Sequence, residues 1–139
     1  MTLTLDLTDT ADADDRRAIF EPLVAFNRAN APDGHYRPLN VLLRGEDGNV
    51  TGGLWGRTDW GWFGIELLYV PETFRSRGIG AQTVEAAERE ARARDCHGAW
   101  VNTFGWQARG FYQSLGYALF GELPDCPAGY SRHFLQKRL

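Results

Sequence analysis

The run Arg75-Ser76-Arg77-Gly78-Ile79-Gly80 combines two arginines with two glycines where a predicted strand gives way to a predicted helix. Before it, residues 65–70 are apolar, β-branched and aromatic, which predicts a buried strand. A helix that begins in a glycine-rich turn presents unpaired backbone N–H groups and the positive end of its dipole. The missing Cβ atoms let a polyphosphate approach the backbone, and the arginines add positive charge. This turn therefore predicts a phosphate-binding site.

The residues after the turn are typical of an amphipathic helix. A narrow face of small residues recurs at helical spacing: Gly80, Val84, Ala87 and Ala91. Acid–base pairs four residues apart, with the acid N-terminal, predict the outer surface. These pairs are Glu85–Arg89, Glu88–Arg92 and Glu90–Arg94.

Two other kinds of phosphate-binding loop do not fit this turn. A P-loop requires a lysine directly after its last glycine, and none follows here. A dinucleotide fingerprint requires a third glycine where Thr83 stands, and an acidic residue about 20 positions further on, at the end of the next strand. That strand, predicted at 99–103, carries no carboxylate. The pattern that remains is Arg-x-x-Gly-x-Gly.

This pattern resembles the pyrophosphate-binding motif of the GCN5-related N-acetyltransferase (GNAT) superfamily. A second stretch, 107–117, resembles the family's Ala-x-x-Phe-Tyr-x-x-Leu-Gly signature followed by an aromatic residue. Physically it predicts a short helix that ends at Gly116 and is followed by a strand from Tyr117. The resemblance implies one GNAT-type domain over residues 1–139. It also implies an α/β (mixed α+β) fold, in which a twisted, mostly antiparallel mixed sheet is splayed in the middle and flanked by helices.

The resemblance further implies acetyl-CoA as cosubstrate and no metal. Main-chain groups at the end of the strand are expected to pair with the pantetheine arm, and those of the turn with the pyrophosphate. The expected cofactor-binding residues are Leu68, Tyr69, Val70, Arg75, Ser76, Arg77, Gly78, Ile79, Gly80 and Ala81. One departure from the family is Gly105, where many members have an asparagine. That contact is either absent or supplied by Asn102 or Gln107, and Phe104 and Trp106 could wall the channel.

Tyr112 is the expected general acid, because in this family a tyrosine at this place lies beside the cofactor sulfur. Phe111 and Leu115 are predicted to pack into the core, while the Tyr112 hydroxyl points toward the cleft between the splayed strands. A phenol with a pKa near 10 stays protonated while a thiolate with a pKa near 8.5 departs. A core tyrosine whose hydroxyl only satisfies a backbone carbonyl is the alternative.

Glu66 is a carboxylate within an otherwise apolar strand, which predicts a buried acid. Burial raises the pKa of a glutamate, and a raised pKa suits a base that removes the proton of an ammonium group near neutral pH. The sequence leaves two roles open for Glu66: the catalytic base, or one partner of a structural salt bridge to a nearby arginine.

Composition limits the function classes. The chain has 139 residues, of which 43% are hydrophobic, enough for one compact core. A net charge of −3 and a pI of about 5.6 do not indicate nucleic-acid binding. No long apolar run or signal peptide is evident, so a cytoplasmic protein without membrane contact is expected. Cys96 and Cys126 suggest neither a disulfide framework nor a zinc site.

The sequence does not identify the acceptor. A small-molecule primary amine, acetylated by direct attack in a ternary complex, is the first hypothesis. A protein N-terminal acetyltransferase is a second, and an acyl-CoA-binding sensor or regulatory domain is a third. Retention of Tyr112 and Glu66 favours catalysis, and a homodimer is left open.

The first thirty residues predict one strand and one helix. Alternation over 2–7 predicts the strand. The helix follows caps at 10–12 and turns Ile19, Leu23 and Phe26 inward, with a bend or restart expected at Pro22.

Overall fold

A computed structural model describes residues 2–139 of the chain. Within these residues the helices and strands follow one another as α1 (Ala13–Asn30), β1 (Arg37–Arg44), β2 (Val50–Asp59), β3 (Trp62–Tyr69), α2 (Ile79–Ala93), β4 (Gly98–Phe104), α3 (Arg109–Ser114), β5 (Ala118–Pro124) and β6 (Ser131–Arg138). The residues group into two compact units, Met1–Asp33 and Gly34–Leu139. The expectation of a single domain over 1–139 stays a prediction.

The second unit contains one six-stranded sheet in the order β1-β2-β3-β4-β6-β5. Every neighbouring pair is antiparallel except β3 and β4, which run parallel and are connected through α2. A parallel pair needs such a crossover, whereas antiparallel strands that follow each other in the chain can be joined by short turns. The mixed, mostly antiparallel sheet confirms the predicted fold class.

The parallel pair opens halfway along its length. Pairing between β3 and β4 runs only from Trp62↔Gly98 to Ile65↔Val101, although both strands continue beyond it. On the other side of β3 the register shifts, because Gly56 pairs with Ile65 and Trp55 with Leu67. Glu66 is the extra residue of this bulge, and a bulge bends and twists its strand. The ends of β3 and β4 are therefore splayed apart, as predicted.

Helix α2 covers one face of the sheet with its small residues. Val84, Ala87 and Ala91 are fully buried, together with Leu54 and Phe63 of the sheet. Alanine at two of these positions allows the helix backbone to approach the strands closely. The predicted inward face of α2 is thus confirmed at these three positions.

Glu88 departs from the predicted outer surface of α2. Its side chain is only 2% exposed. It accepts a hydrogen bond from the Tyr117 hydroxyl at 2.8 Å and pairs with Lys137 Nζ at 2.9 Å. A buried carboxylate requires such partners, and they come from β6 and the residue before β5, which local spacing does not reveal. The predicted Glu88–Arg92 surface pair is wrong, whereas the Glu90–Arg94 pair forms at 2.9 Å.

In the first unit, the helix forms but the strand does not. Asp12 caps α1 in a capping box with Asp15. The helix continues through Pro22 without a restart, because a proline removes only one backbone hydrogen bond. Residues 2–7 have no strand partner and form no regular structure, since an alternating run becomes a strand only when an edge pairs with it. No residue of α1 is buried, so its predicted inward face is exposed.

Candidate active site

The predicted phosphate turn lies at the end of β3, between a short 3₁₀ turn (Glu72–Phe74) and the start of α2. Gly78 caps the helix in the left-handed conformation, with φ of 76°, and Ser76 is also left-handed, with φ of 63°. A Cβ at position 78 would have only the Gln82 amide nearby, at 3.8 Å. Glycine is thus required here by the backbone conformation, and the space beside it is open to a ligand. The first N–H groups of α2 face no carbonyl of their own helix, as a phosphate site requires.

Gly80 has a packing role that the sequence did not predict. A Cβ at this position would lie 3.1 and 3.2 Å from two ring carbons of Phe111. The absence of a side chain therefore lets α2 pack tightly against α3. Gly78 leaves the turn open, and Gly80 brings α2 and α3 close together.

The two arginines of the turn are not equivalent. Arg75 donates from Nε to the Val70 carbonyl at 3.0 Å, and its guanidinium lies 5.6 Å from the centre of the Tyr69 ring. These contacts fix Arg75 at the wall of the cleft described next. The Arg77 guanidinium instead lies 5.7 Å from the Phe74 ring, and Arg77 does not line that cleft.

A cleft of about 660 Å³, here called the outer cleft, runs from the phosphate turn along the end of β3. It brings together every predicted cofactor-binding residue except Arg77. Its lining consists of Leu68, Tyr69, Val70, Arg75, Ser76, Gly78, Ile79, Gly80, Ala81, Trp106, Gln107, Ala108, Phe111 and Ser114.

A second cleft of about 350 Å³, the inner cleft, adjoins the first and lies in the splay between β3 and β4. The two share Leu68, Tyr69, Gln107 and Ala108. The other residues that line the inner cleft are Ile65, Glu66, Leu67, Val101, Asn102, Thr103 and Tyr112. A phosphate cradle at one end and the two predicted catalytic side chains at the other thus belong to adjoining cavities.

Tyr112 lies on α3 with only 4% of its surface exposed. Its ring packs edge-to-face against Phe111, with ring centres 5.1 Å apart, and against Tyr117 at 5.6 Å. Burial raises the pKa of the Tyr112 phenol to about 12. The phenol therefore stays protonated throughout the neutral range, at the wall of the inner cleft.

Glu66 also lines the inner cleft, but the prediction that it is buried is wrong. Its side chain is 42% exposed and pairs with Arg57 Nη1 at 2.8 Å. The bulge in β3 explains the difference, because it removes Glu66 from the regular alternation of the strand. The salt bridge that the sequence left open is present, and Glu66 is too exposed for burial to make it a base.

Two residues near Gly105, Gln107 and Asn102, have distinct roles. Gln107 Oε1 accepts hydrogen bonds from the Phe104 N–H at 2.8 Å and the Thr103 hydroxyl at 3.0 Å, so it holds the turn before α3. Asn102 Oδ1 is engaged by Arg132 Nε at 2.7 Å. Both residues line the inner cleft, and Gln107 also lines the outer one.

Of the aromatic pair Phe104 and Trp106, only Trp106 lines the outer cleft. Trp106 lines the outer cleft, stacked on Phe104 with ring centres 4.9 Å apart and braced by Tyr130 at 5.3 Å. Seven residues that line the clefts were not predicted as site residues: Ile65, Leu67, Val101, Thr103, Ala108, Phe111 and Ser114. Ser114 could have been found, since it lies three residues after Phe111 on the same helical face.

The chain is similar to proteins of known family. The model of the acetyltransferase (GNAT) family matches residues 7–117. The chain belongs to the GNAT acetyltransferase family. The match spans the phosphate turn, both clefts and α3, and it confirms the resemblance inferred from the two motifs.

Two relatives at 42% identity are acetyltransferases. One is acetyltransferase Atu2258 of Agrobacterium fabrum, aligned over 132 residues that cover 95% of this chain and 96% of the relative. The other is the blasticidin-S acetyltransferase of Streptomyces morookaense, aligned over 109 residues that cover 74% of this chain and 79% of the relative. These relatives establish the chain as an acetyltransferase of this family.

Solved structures agree on the fold. The crystal structure of a protein from Agrobacterium tumefaciens assigned as an acetyltransferase superposes with a TM-score of 0.94 at 40% identity, covering 99% of this chain and 100% of that one. A Bacillus anthracis structure assigned as a streptothricin acetyltransferase was solved in complex with acetyl-CoA. At 16% identity and a TM-score of 0.63, covering 79% of this chain and 65% of that one, it shares the fold alone.

Among residues 2–139, no group of three or more His, Cys, Asp or Glu side chains is placed to hold a metal ion. None of the helices in this part of the chain combines the length and hydropathy of a membrane span.

Proposed function

We propose that this GNAT acetyltransferase transfers the acetyl group of acetyl-CoA to the primary amine of a small molecule, by direct attack in a ternary complex. The observation that carries this proposal is the pair of adjoining clefts, with a phosphate cradle at one end and Tyr112 at the other. The expected cofactor-binding residues, Arg77 excepted, line the outer cleft, which supports acetyl-CoA as the donor.

The end of β3 offers a backbone edge for the pantetheine arm. Leu68 and Tyr69 pair with β2 on one side, but the pairing of β3 with β4 has ended at Ile65 on the other. An unpaired strand edge can accept an extended ligand as an added strand. Amides of the arm would therefore find partners along this edge, while the pyrophosphate occupies the turn near Gly78 and Arg75.

Tyr112 would act on the departing sulfur. Transfer of the acetyl group forms a C–N bond to the amine and breaks the C–S bond, so the electron pair goes to sulfur. A phenol with a pKa of about 12 holds its proton more tightly than a thiol with a pKa near 8.5. We therefore expect Tyr112 to stabilise the thiolate mainly by donating a hydrogen bond from its buried position.

Glu66 remains our candidate for the group that accepts a proton from the amine, directly or through water. This role now rests on position, since the carboxylate borders the inner cleft where the acetyl group would lie. The ion pair with Arg57 holds the carboxylate at that wall.

The size of the inner cleft favours a small acceptor. At about 350 Å³ it falls at the lower end of the range for small-molecule sites. A relative named for an antibiotic, blasticidin-S acetyltransferase, supports the same class of acceptor. Small-molecule acetylation is thus preferred over a protein N-terminus.

The test is release of free CoA thiol from acetyl-CoA in the presence of a panel of small primary amines and, separately, short peptides. Acetylation of a small amine, confirmed by mass, supports the proposal. Binding of acetyl-CoA in calorimetry without turnover on any amine would instead support an acyl-CoA sensor. Turnover on peptides alone would support an N-terminal acetyltransferase.

A further inference from the structure

Two polar side chains flank the point where β3 and β4 separate, here called the fork. The pairing of the two strands ends at Ile65 and Val101. The next residue along β3 is Glu66, and the next along β4 is Asn102. Both residues line the inner cleft. The fork therefore presents a carboxylate from one strand and an amide from the other.

An arginine from the neighbouring strand on the outer side holds each of these side chains. Arg57 of β2 pairs with Glu66 at 2.8 Å, and Arg132 of β6 donates from Nε to Asn102 Oδ1 at 2.7 Å. The Arg132 guanidinium also lies 5.0 Å from the centre of the Phe104 ring. Among residues 2–139, no carboxylate pairs with Arg132. A fixed, charged donor is thus directed at a neutral amide, and it sets the orientation of Asn102.

This contact leaves the nitrogen of the Asn102 amide for a ligand. A guanidinium can only donate hydrogen bonds, so the amide oxygen must face Arg132 and the NH₂ group must point elsewhere. In the part of the chain that the structure describes, the bond to Arg132 is the only hydrogen bond of this side chain. Because Asn102 lines the inner cleft, its N–H donors are available to a ligand there.

We propose that Asn102 donates a hydrogen bond to the carbonyl oxygen of the acetyl group during its transfer, an inference that rests on the function proposed above. In the attack, the amine nitrogen bonds to the carbonyl carbon, and an electron pair moves onto the carbonyl oxygen. When the C–S bond breaks, the carbonyl re-forms and the electron pair leaves with the sulfur. The amine proton passes to Glu66. A fixed N–H donor stabilises the oxygen while it carries negative charge, as the donors of an oxyanion hole do.

Each reacting atom then has its own side chain in the inner cleft. Tyr112 acts on the sulfur, Glu66 on the amine proton and Asn102 on the carbonyl oxygen, and all three line this cavity of about 350 Å³. The sulfur and the oxygen are bonded to the same carbon, so a thioester held at Tyr112 brings its carbonyl into the same cavity. Asn102 does not line the outer cleft, where the pantetheine arm would lie. Its donor is therefore assigned to the acetyl group and not to the arm.

The first test removes the donor and keeps the contact with Arg132. In Asn102→Asp, the carboxylate accepts the same hydrogen bond from Arg132 but has no N–H group. We expect kcat to fall by about 10²–10³-fold, with the free energy of unfolding unchanged or higher. The Kd for acetyl-CoA should change less than about threefold. Asn102→Ala adds no charge and should lose kcat to the same degree.

Asn40→Asp is the matched control for this substitution. Asn40 Oδ1 also accepts a hydrogen bond from the protein, from the Gly56 N–H at 3.2 Å, and Asn40 lies outside both clefts. Asn40→Asp should therefore keep the wild-type kcat.

Arg132 is a positioning residue, and two substitutions isolate its Nε donor. Arg132→Gln places an amide N–H group at the same position along the side chain as Nε, whereas Arg132→Met has a similar length and no donor. We expect kcat to fall about tenfold in Arg132→Met and to stay within about threefold of the wild-type value in Arg132→Gln. A merely structural role would lower the stability of both variants without separating their kcat values.

The closing test needs no acceptor. Acetyl-CoA labelled with carbon-13 at the carbonyl is bound to the protein, and isotope-edited infrared difference spectroscopy measures the stretching frequency of the thioester carbonyl. A hydrogen bond from Asn102 lowers this frequency. We therefore expect the band to lie at higher frequency in Asn102→Asp and Asn102→Ala than in the wild-type protein, and to be unchanged in Asn40→Asp.

The outcomes distinguish this inference from the proposed function. A carbonyl band unchanged in both Asn102 variants would overturn the inference even where a small amine is acetylated. A raised KM for the amine with an unchanged kcat would assign the amide to the acceptor and would also overturn it. The expected band shift without turnover on any amine would support the inference and reject the proposed function. A wild-type protein that binds no acetyl-CoA in calorimetry would overturn both.

Discussion

The outer and inner clefts present different kinds of chemical group to a ligand. At the outer end, the groups offered to a ligand are backbone N–H groups, fixed by the left-handed Gly78 and the start of α2. At the inner end they are side chains, Tyr112 and Glu66, whose properties depend on neighbours distant in sequence. Tyr112 is buried among aromatic rings, while Glu66 is exposed and paired with Arg57. The outer end presents backbone groups, whose arrangement is set by the local sequence. The inner end presents side chains, whose burial and pairing are set by the assembled fold.

The sharpest test of this contrast is removal of the Tyr112 hydroxyl. Tyr112→Phe keeps the ring in its packed position and deletes only the hydrogen-bond donor. We expect kcat to fall by about 10²–10⁴-fold, with the Kd for acetyl-CoA changed less than twofold. Tyr36→Phe is the control, because Tyr36 is exposed and lies outside both clefts. Full activity in Tyr112→Phe would assign protonation of the thiolate to another group or to water.

A substitution at Glu66 tests whether a carboxylate at the wall of the inner cleft acts as the base. Glu66→Gln should lower kcat by about 10²-fold at neutral pH and change the pH dependence of the rate, because the amide cannot accept the amine's proton. Glu46→Gln, in the turn between β1 and β2, is the control and should be neutral. If Glu66→Gln keeps the wild-type rate and pH profile, the Arg57–Glu66 pair is structural.

Burial of Tyr112 predicts a loss of stability in alkali. The pKa of Tyr112 is about 10 in the unfolded chain and about 12 in the folded protein, so the unfolded state loses its proton first. The corresponding stability, roughly 3 kcal/mol, is present below pH 10 and is lost between pH 10 and 12. Burial and the hydrogen bond to Glu88 raise the pKa of Tyr117 in the same direction.

Denaturant unfolding followed by circular dichroism across pH 8–12 measures this loss. Tyr112→Phe should show a shallower decline than the wild-type protein, since one of the two buried phenols is gone. Parallel curves for the two proteins would contradict the assignment of the raised pKa to Tyr112.

The outer end should depend on one arginine of the turn and not on the other. Arg75→Ala should weaken acetyl-CoA binding about tenfold, which corresponds to about 1.4 kcal/mol. Arg77→Ala should change the affinity less than twofold, because Arg77 does not line the cleft. Calorimetry on both variants measures the difference. Equal effects would mean that the two charges act through their combined field on the phosphates and not through contact.

The local sequence patterns correctly predicted the secondary structure around the site. The strand before the turn, the helix after it and the short helix of the second motif all lie where predicted, because periodicity and capping are properties of neighbouring residues. Two predictions failed at Glu66 and Glu88. A bulge exposed one, and partners from β6 and the residue before β5 buried the other.

The sequence by itself determined the phosphate turn, the family and the residues from which the cleft is made. Glycines at a strand-to-helix junction expose backbone N–H groups of the same turn, so their role can be predicted without knowing any distant partner. Only the tertiary structure decided that Gly80 packs on Phe111 and that Arg75, not Arg77, lines the outer cleft. It also decided that Tyr112 is buried while Glu66 is exposed. These outcomes depend on which distant segments meet, because burial and pairing are set by contacts across the sheet and not by order along the chain.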